Sequence, residues 1–197
     1  VSLNFILQQW IDDNTSVEVI DLDGGAKLLV ADIFLPNTIE DFTNEIQLSQ
    51  KQITMFNRTS NLPRLTAMLG KGYNYSGIEN KAQKFGWNTL QVKNRIESII
   101  SGKFDACLVN YYRDGSDYIS YHSDDESEIG STIASLSIGE TRRFIVRNKS
   151  TKEKIEIELT SGKLVVMIDA QKNYEHCVPK TAKKISDRLN FTFRQMK

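Results

Sequence analysis

The chain has 197 residues, of which 40% are hydrophobic and 25% charged, with 25 basic residues balanced by 25 acidic ones. A chain of this length suits one domain that buries roughly 70% of its unfolded surface. The balanced charge argues against holding nucleic acid by bulk electrostatics, although it allows a local basic patch. There is no run of eighteen apolar residues and no basic stretch leading into an apolar one near residue 1, so we expect neither a membrane span nor a secretory signal.

The first half of the chain predicts three helices and one strand. They are an amphipathic helix over residues 2–12, a strand Leu28–Phe34, and helices Thr38–Gln47 and Thr89–Ser101. Between the last two helices, residues 53–64 predict two short extended pieces joined by a turn at Asn57, with Phe56 near the tip of the hairpin. An aromatic residue at such a tip usually packs back onto its own domain.

The second half predicts short strands separated by glycine-containing turns. The eight predicted strands are Ala106–Tyr112, Tyr118–His122, Thr132–Ile138, Arg143–Arg147, Lys154–Leu159, Lys163–Ile168, Tyr174–Val178 and Arg188–Arg194. This spacing is typical of a double-sheet jelly roll. We therefore expect a mainly β protein with flanking helices (α+β), in which the sandwich is open at one end.

The only two histidines of the chain suggest a metal site. His122 and Asp124 stand two residues apart, so in a strand both side chains leave the same face. His176 supplies a second imidazole, and two histidines with one carboxylate form the facial set of non-heme Fe(II) oxygenases. The competing interpretations are a chance surface pair of His122 and Asp124, or a structural metal, although structural zinc favours four protein ligands and only three are apparent.

A second constellation alternates along the last predicted strand. Leu189, Phe191 and Phe193 share its apolar face, and the opposite face carries the polar residues Arg188, Asn190, Thr192 and Arg194. Arginine forks bind carboxylates through paired hydrogen bonds, so this face predicts a lining for a small dianion. Asn110 and Tyr112 share a face of another strand and are predicted to join the same pocket.

Taken in order, these motifs resemble the AlkB-like Fe(II)- and 2-oxoglutarate-dependent dioxygenases, and most closely those members that repair alkylated bases in duplex DNA. The resemblance covers about residues 48 to 196 and implies a double-stranded β-helix. It assigns His122, Asp124 and His176 to Fe(II) as metal ligands and catalytic residues. The cosubstrate 2-oxoglutarate is assigned to Asn110, Tyr112, Arg188, Asn190, Thr192 and Arg194, and O2 is the second cosubstrate.

The same resemblance implies where a nucleotide binds. Phe56 corresponds to an apolar wedge that fills the gap left by a flipped base. The predicted substrate contacts are Phe56, Asn57, Arg58, Arg64, Tyr73, Asn74, Tyr75, Ser76, Asp125 and Glu126. Two segments form local basic patches, residues 142–154 and 180–184, which solvated loop charge explains equally well from sequence. The resemblance favours phosphate contact for the first of them.

These assignments predict one domain, residues 1–197, with N-terminal helices and a strand (1–47), a nucleotide-recognition segment (48–100) and a jelly-roll catalytic core (101–197). The predicted activity is oxidative demethylation of N-alkylated bases in DNA, of the 1-methyladenine and 3-methylcytosine type, releasing succinate, CO2 and formaldehyde. The alternatives are an oxygenase of the same chemistry acting on RNA, protein or a small molecule, and a non-enzymatic metal-binding jelly roll. The two cysteines, Cys107 and Cys177, are interpreted as core residues of an intracellular protein, nuclear or cytoplasmic, that acts as a monomer.

Overall fold

The computed structural model describes residues 16–55, 58–72, 74–75, 78–79, 82–100 and 102–197. The predicted helix over residues 2–12 lies outside these described residues. Within them, the strands are β1 (Val17–Asp21), β2 (Lys27–Asp32), β3 (Gln52–Met55), β4 (Arg58–Asn61), β5 (Leu65–Gly70), β6 (Asn74–Tyr75), β7 (Ile78–Glu79), β8 (Ala106–Tyr112), β9 (Ile119–His122), β10 (Ile129–Gly139), β11 (Arg142–Asn148), β12 (Lys154–Leu159), β13 (Lys163–Ile168), β14 (Tyr174–Val178) and β15 (Arg188–Met196). The helices are α1 (Ile39–Thr43) and α2 (Trp87–Ile100), and a short 3-10 turn spans Asp23–Gly25.

Two antiparallel sheets form the sandwich. The larger has the strand order β1-β2-β13-β10-β15-β8-β5, and the smaller has the order β12-β11-β14-β9. Apolar residues of both sheets meet in one buried cluster, for example Leu108 and Met167 of the larger sheet with Phe144 and Ile157 of the smaller. The predicted jelly roll is therefore confirmed.

A second buried cluster lies on the other face of the larger sheet, beneath the helices. It includes Phe42 of α1, Ile96 of α2, and Val109 and Phe191 of the sheet. Because successive side chains of a strand leave opposite faces, β15 sends Leu189, Phe191 and Phe193 toward the helices. Its polar residues are thereby directed into the sandwich, as the alternation predicted.

The predicted helix Thr38–Gln47 is shorter in the structure, because tertiary contacts take over its second half. Thr38 caps α1 through a reciprocal capping box with Asp41. Beyond the helix, the Glu45 carboxylate accepts from the backbone N–H groups of Asn88 and Thr89 at the start of α2. The next residue, Ile46, is still buried as predicted.

Two strands of the larger sheet were missed by the sequence prediction, β1 and β5. β5 is covered on one side by the helices and on the other by the sandwich, so its apolar residues do not alternate. In the described ranges, no helix is long and apolar enough to cross a membrane.

Candidate active site

The three predicted metal ligands come together at one end of the smaller sheet. His122 ends β9 and is the direct cross-strand partner of His176 in β14. Their ring centroids lie 4.3 Å apart. Asp124 follows two residues after His122 and is buried beside both rings.

The ligand atoms of these residues all lie within 4.8 Å of one another. His122 Nε2 is 3.8 Å from Asp124 Oδ1, and His176 Nε2 is 3.9 Å from Asp124 Oδ2. His122 Nδ1 lies 2.9 Å from the carbonyl oxygen of Ser120. Since a carbonyl only accepts, Nδ1 carries the proton and Nε2 keeps its lone pair for a metal.

The protonation states also suit a divalent cation. Burial lowers the pKa of His176 to about 3, which keeps the imidazole neutral. Burial alone would raise the pKa of Asp124, but the Arg194 guanidinium outweighs it and holds this pKa at about 2. Asp124 Oδ2 is buried and has no hydrogen-bond partner among the described residues. Two neutral imidazoles and an ionised carboxylate with an unused oxygen fit the donor set expected for Fe(II).

The predicted dianion lining faces the same cavity. Arg188, Asn190, Thr192 and Arg194 line it together with Asn110 and Tyr112. Register explains this, because Arg188 pairs with Tyr112 and Asn190 pairs with Asn110 across β15 and β8. The cavity therefore holds both predicted constellations.

Arg188 has the features of an anion-binding residue within this cavity. Its side chain is buried, and its Nη2 donates to Ser137 Oγ at 2.7 Å. Its Nε and Nη1 have no hydrogen-bond partner in the part of the chain that the structure describes. Burial lowers the pKa of Arg188 to about 10, so the guanidinium is still charged at neutral pH. A buried cation with unused donors fits a carboxylate of 2-oxoglutarate.

Arg194 links the cosubstrate lining to the metal ligands. Its Nη2 donates to Asp124 Oδ1 at 2.8 Å, and both side chains are 1% exposed. The backbone N–H of Asp124 in turn donates to Gln171 Oε1 at 2.9 Å. Asp124 is thus held at its carboxylate by Arg194 and at its backbone by Gln171, which leaves Oδ2 toward His176.

Several cavity residues were missed by the sequence prediction. Ser135 of β10 lines the cavity and contacts Asn190, and Ser137, two residues further on, contacts Arg188 from outside the lining. They alternate with Ala134, Leu136 and Ile138, so the period-two reasoning applied to β15 would have found them. The apolar walls carry no such signal: Leu108, Ile119, Phe144, Leu159, Met167 and Val178.

The predicted nucleotide-recognition hairpin is present as β3 and β4, which pair from Gln52–Asn61 to Met55–Arg58. Phe56, Asn57, Tyr73 and Ser76 lie outside the described residues, and the side chains of Arg58, Asn74 and Tyr75 are not described either.

Arg64, a predicted substrate contact, is buried in the structure and does not lie at the surface. It is 3% exposed, and its Nε donates to Asn110 Oδ1 at 2.7 Å.

The two acidic residues after the metal pair border a groove beside Asp124. Asp125 is exposed, with its carboxylate 3.8 Å from Lys149 Nζ. Glu126 is partly buried, which raises the pKa of its carboxyl group. Its Oε2 has no partner within the described ranges.

The arginines of the first basic segment all have partners within the protein, and Arg142 is buried, whereas Arg143 and its partner Glu156 are exposed. Arg142 is buried and donates to the backbone carbonyls of Asp114, Asp117 and Pro179. Arg143 pairs with Glu156, and Arg147 pairs with Glu175. The prediction that this segment contacts phosphate therefore finds no support in these three side chains.

Comparison with known proteins agrees with this geometry. A family described as the 2OG-Fe(II) oxygenase superfamily matches residues 35–194. The "Alpha-ketoglutarate-dependent dioxygenase alkB homolog 3" of Mus musculus is 36% identical over 170 residues, covering 79% of this chain and 59% of the relative. The "DNA oxidative demethylase ALKBH2" of Mus musculus is 30% identical over 176 residues, covering 82% of this chain and 72% of the relative.

The fold is also found among solved structures. "The structure of OsALKBH1" superposes with a TM-score of 0.63 at 17% identity, covering 90% of this chain and 100% of the other. The chain spans about 60% of the length of the alkB homolog 3 relatives. Because the family match covers most of the chain and its triad is in place, this protein belongs to the 2OG-Fe(II) oxygenase superfamily.

Proposed function

We propose that this protein removes N-linked methyl groups from DNA bases of the 1-methyladenine and 3-methylcytosine type, using Fe(II), O2 and 2-oxoglutarate. The observation that carries the chemistry is one cavity that joins a metal triad to the buried, underused guanidinium of Arg188. The choice of DNA is supported by the relatives that are named DNA oxidative demethylases.

The roles of the protein's own residues follow from their positions. His122, Asp124 and His176 would hold the iron. Arg188 would bind the carboxylate of 2-oxoglutarate that is more distant from the iron. Bound Fe(II) would supply the activation of O2, one oxygen atom of which enters the methyl group while the other enters the succinate formed as 2-oxoglutarate loses CO2. Leu108, Phe144 and Met167 contribute apolar walls to this cavity, and such walls would limit the access of water to the reacting atoms. The hydroxylated N-methyl group then leaves as formaldehyde.

The acidic residues beside Asp124 suit a cationic substrate. Asp125 and Glu126 border the groove next to the metal ligands. Bases methylated at the positions named above carry a positive charge, which nearby carboxylates stabilise. We propose that these two carboxylates select the charged lesion over its neutral parent base.

The recognition segment is proposed to open the duplex. Phe56 is the wedge, and Asn57, Arg58, Tyr73, Asn74, Tyr75 and Ser76 surround the flipped base. The hairpin pairing of β3 and β4 supports this proposal, because Met55 pairs with Arg58.

A second candidate is the same chemistry on RNA, with a protein or a small molecule as further options. It is favoured by the balanced charge and by the engagement of Arg142 with backbone carbonyls and of Arg143 and Arg147 with glutamates, since binding of a DNA duplex usually requires free basic side chains. The alkB homolog 3 name, moreover, specifies no substrate.

The test is formaldehyde release from oligonucleotides that carry 1-methyladenine or 3-methylcytosine, as single and double strands of DNA and of RNA. We expect release from methylated DNA, and Phe56→Ala should lower the rate on duplex DNA several-fold while leaving single-stranded DNA nearly unchanged. Release from RNA alone would favour the second candidate. Equal loss on both forms of DNA would exclude the wedge.

A further inference from the structure

Arg64 is an internal residue that joins three parts of the protein. It lies three residues after β4, and its Nε donates to Asn110 Oδ1 at 2.7 Å. Its Nη1 donates to the carbonyl oxygen of Tyr118 at 3.3 Å. The backbone N–H of Tyr118 returns a bond to the carbonyl of Pro63 at 3.0 Å. Arg64 therefore connects the recognition hairpin to β8 and to the chain that enters β9.

The bond from Arg64 decides which way the amide of Asn110 faces. The two ends of an amide side chain have nearly the same shape, but one end donates and the other accepts. A guanidinium only donates, so Asn110 must turn its oxygen toward Arg64. Its nitrogen then donates to Asn190 Oδ1 at 3.4 Å.

The far end of this chain of amides is fixed as well. Asn190 Nδ2 donates to the carbonyl oxygen of Leu136 at 3.1 Å and to Ser135 Oγ at 2.9 Å. Because a backbone carbonyl only accepts, Asn190 must turn its oxygen toward Asn110. Thr192 Oγ1 donates to that same oxygen at 3.0 Å. Each amide therefore has one permitted orientation.

This orientation matters for an anionic ligand. Asn110 lines the cavity that also contains Arg188 and the metal triad. Its amide nitrogen carries two hydrogens, of which the bond to Asn190 uses one. The second hydrogen is available to an oxygen of a bound carboxylate. A rotated amide would instead present its oxygen to that carboxylate, and the two would repel each other.

We propose that Arg64 is a positioning residue for 2-oxoglutarate, which holds the Asn110 amide so that its nitrogen serves the cosubstrate. The proposal rests on the cosubstrate site proposed above and does not depend on which nucleic acid is repaired. It replaces the prediction that Arg64 contacts the substrate, because a guanidinium buried and bonded in two directions is not free to reach phosphate.

The test measures the Kd of 2-oxoglutarate by anaerobic calorimetry on Mn(II)-loaded protein without nucleic acid. Arg64→Met should raise this Kd roughly tenfold, the usual effect of losing one hydrogen bond to an ionised group. Arg64→Lys keeps the charge and one donor, and should raise it about threefold. Arg143→Met is the matched control, since Arg143 is paired with Glu156 on the exposed surface and its removal should leave the Kd unchanged.

A double-mutant cycle separates positioning from general structural support. Asn110→Ala should raise the Kd by itself, and adding Arg64→Met to it should raise the Kd no further, because the arginine acts through the amide. If circular dichroism shows that Arg64→Met is not folded, Arg64→Lys replaces it in the cycle. Adding Arg64→Lys to Asn110→Ala should likewise raise the Kd no further.

Two results would overturn the proposal. The first is that the effects of the two substitutions multiply in the double variant. The second is that Arg64→Met leaves the Kd of 2-oxoglutarate unchanged, and weaker binding of a methylated oligonucleotide by this variant would then return Arg64 to the substrate contacts. A protein that binds 2-oxoglutarate but releases no formaldehyde from DNA would contradict the proposed function and leave this test intact.

Discussion

Replacing Arg188 by Met should have opposite effects on cosubstrate binding and on the stability of the ligand-free protein. The side chain is 1% exposed, and Ser137 Oγ accepts from its Nη2, while Nε and Nη1 have no partner in the described chain. If two charge-assisted hydrogen bonds to a carboxylate are lost, at about 1.5 to 3 kcal/mol each, binding weakens by about 3 to 6 kcal/mol. This corresponds to an increase of roughly 10² to 10⁴ in the Kd of 2-oxoglutarate.

Stability should change in the other direction. Burial that lowers the pKa of Arg188 to about 10 also destabilises the folded protein, because the charged form is favoured in the unfolded chain. The ligand-free Arg188→Met protein should therefore have a Tm equal to or above that of the ligand-free wild type. Addition of 2-oxoglutarate should raise the Tm of the wild type but not that of Arg188→Met. Differential scanning fluorimetry with and without 2-oxoglutarate measures both effects, and calorimetry gives the Kd.

Arg142→Met is the matched control for the sign of the stability change. Arg142 is also buried, but its guanidinium serves three backbone carbonyls. Its loss should destabilise the protein by about 3 kcal/mol, since buried acceptors lose their donors. The reasoning is refuted if Arg188→Met loses as much stability as Arg142→Met, or if it binds 2-oxoglutarate like the wild type.

Three further predictions concern pH, the core and the substrate. Burial lowers the pKa of His176 to about 3. Below about pH 6.5, His176 is therefore protonated in the unfolded chain but stays neutral in the folded, metal-free protein. The contribution of this residue to the free energy of unfolding is fully present above pH 6.5 and falls by about 1.4 kcal/mol per pH unit as the pH drops toward the folded pKa. Urea denaturation at pH 7 and at pH 5 should show this loss, and the loss should be smaller in the His176→Gln variant. Phe42 is fully buried and packs edge-on against Phe191, with the ring centroids 5.0 Å apart. Phe42→Ala should therefore lower the free energy of unfolding by about 3 to 5 kcal/mol, and a loss below 1 kcal/mol would contradict this packing. Asp125→Asn should raise the KM for a 3-methylcytosine oligonucleotide roughly threefold to tenfold at low salt and leave the Kd of 2-oxoglutarate unchanged, whereas an unchanged KM would remove Asp125 from the substrate site.

The parts of the site that alternate along a single strand could be predicted from sequence. In β15, Leu189, Phe191 and Phe193 contribute to the cluster beneath the helices, and the polar residues that alternate with them face the cavity, namely Arg188, Asn190, Thr192 and Arg194. His122 and Asp124 were likewise found from spacing. Local periodicity sufficed because the sheet turns each alternate residue into the sandwich.

Contacts between distant segments could not be predicted in this way. Arg142 belongs to a run of basic residues that reads as solvated charge, and the structure buries it against carbonyls of two other loops. Arg64 follows the recognition hairpin, yet its partner is Asn110 in β8. Arg194 and Asp124 are 70 residues apart and form a buried ion pair. Each of these placements depends on register between strands, which residue type and spacing do not determine.

Anaerobic titration with Fe(II), followed by 2-oxoglutarate, is the measurement that tests the proposed site most directly. We expect one Fe(II) and one 2-oxoglutarate per chain, with a visible charge-transfer absorption that forms when both are bound. Asp124→Ala should abolish iron binding, and Arg188→Met should retain iron but lose 2-oxoglutarate at concentrations that saturate the wild type. The account would be contradicted if Asp124→Ala bound both Fe(II) and 2-oxoglutarate as tightly as the wild type does. It would also be contradicted if the wild-type protein bound neither ligand.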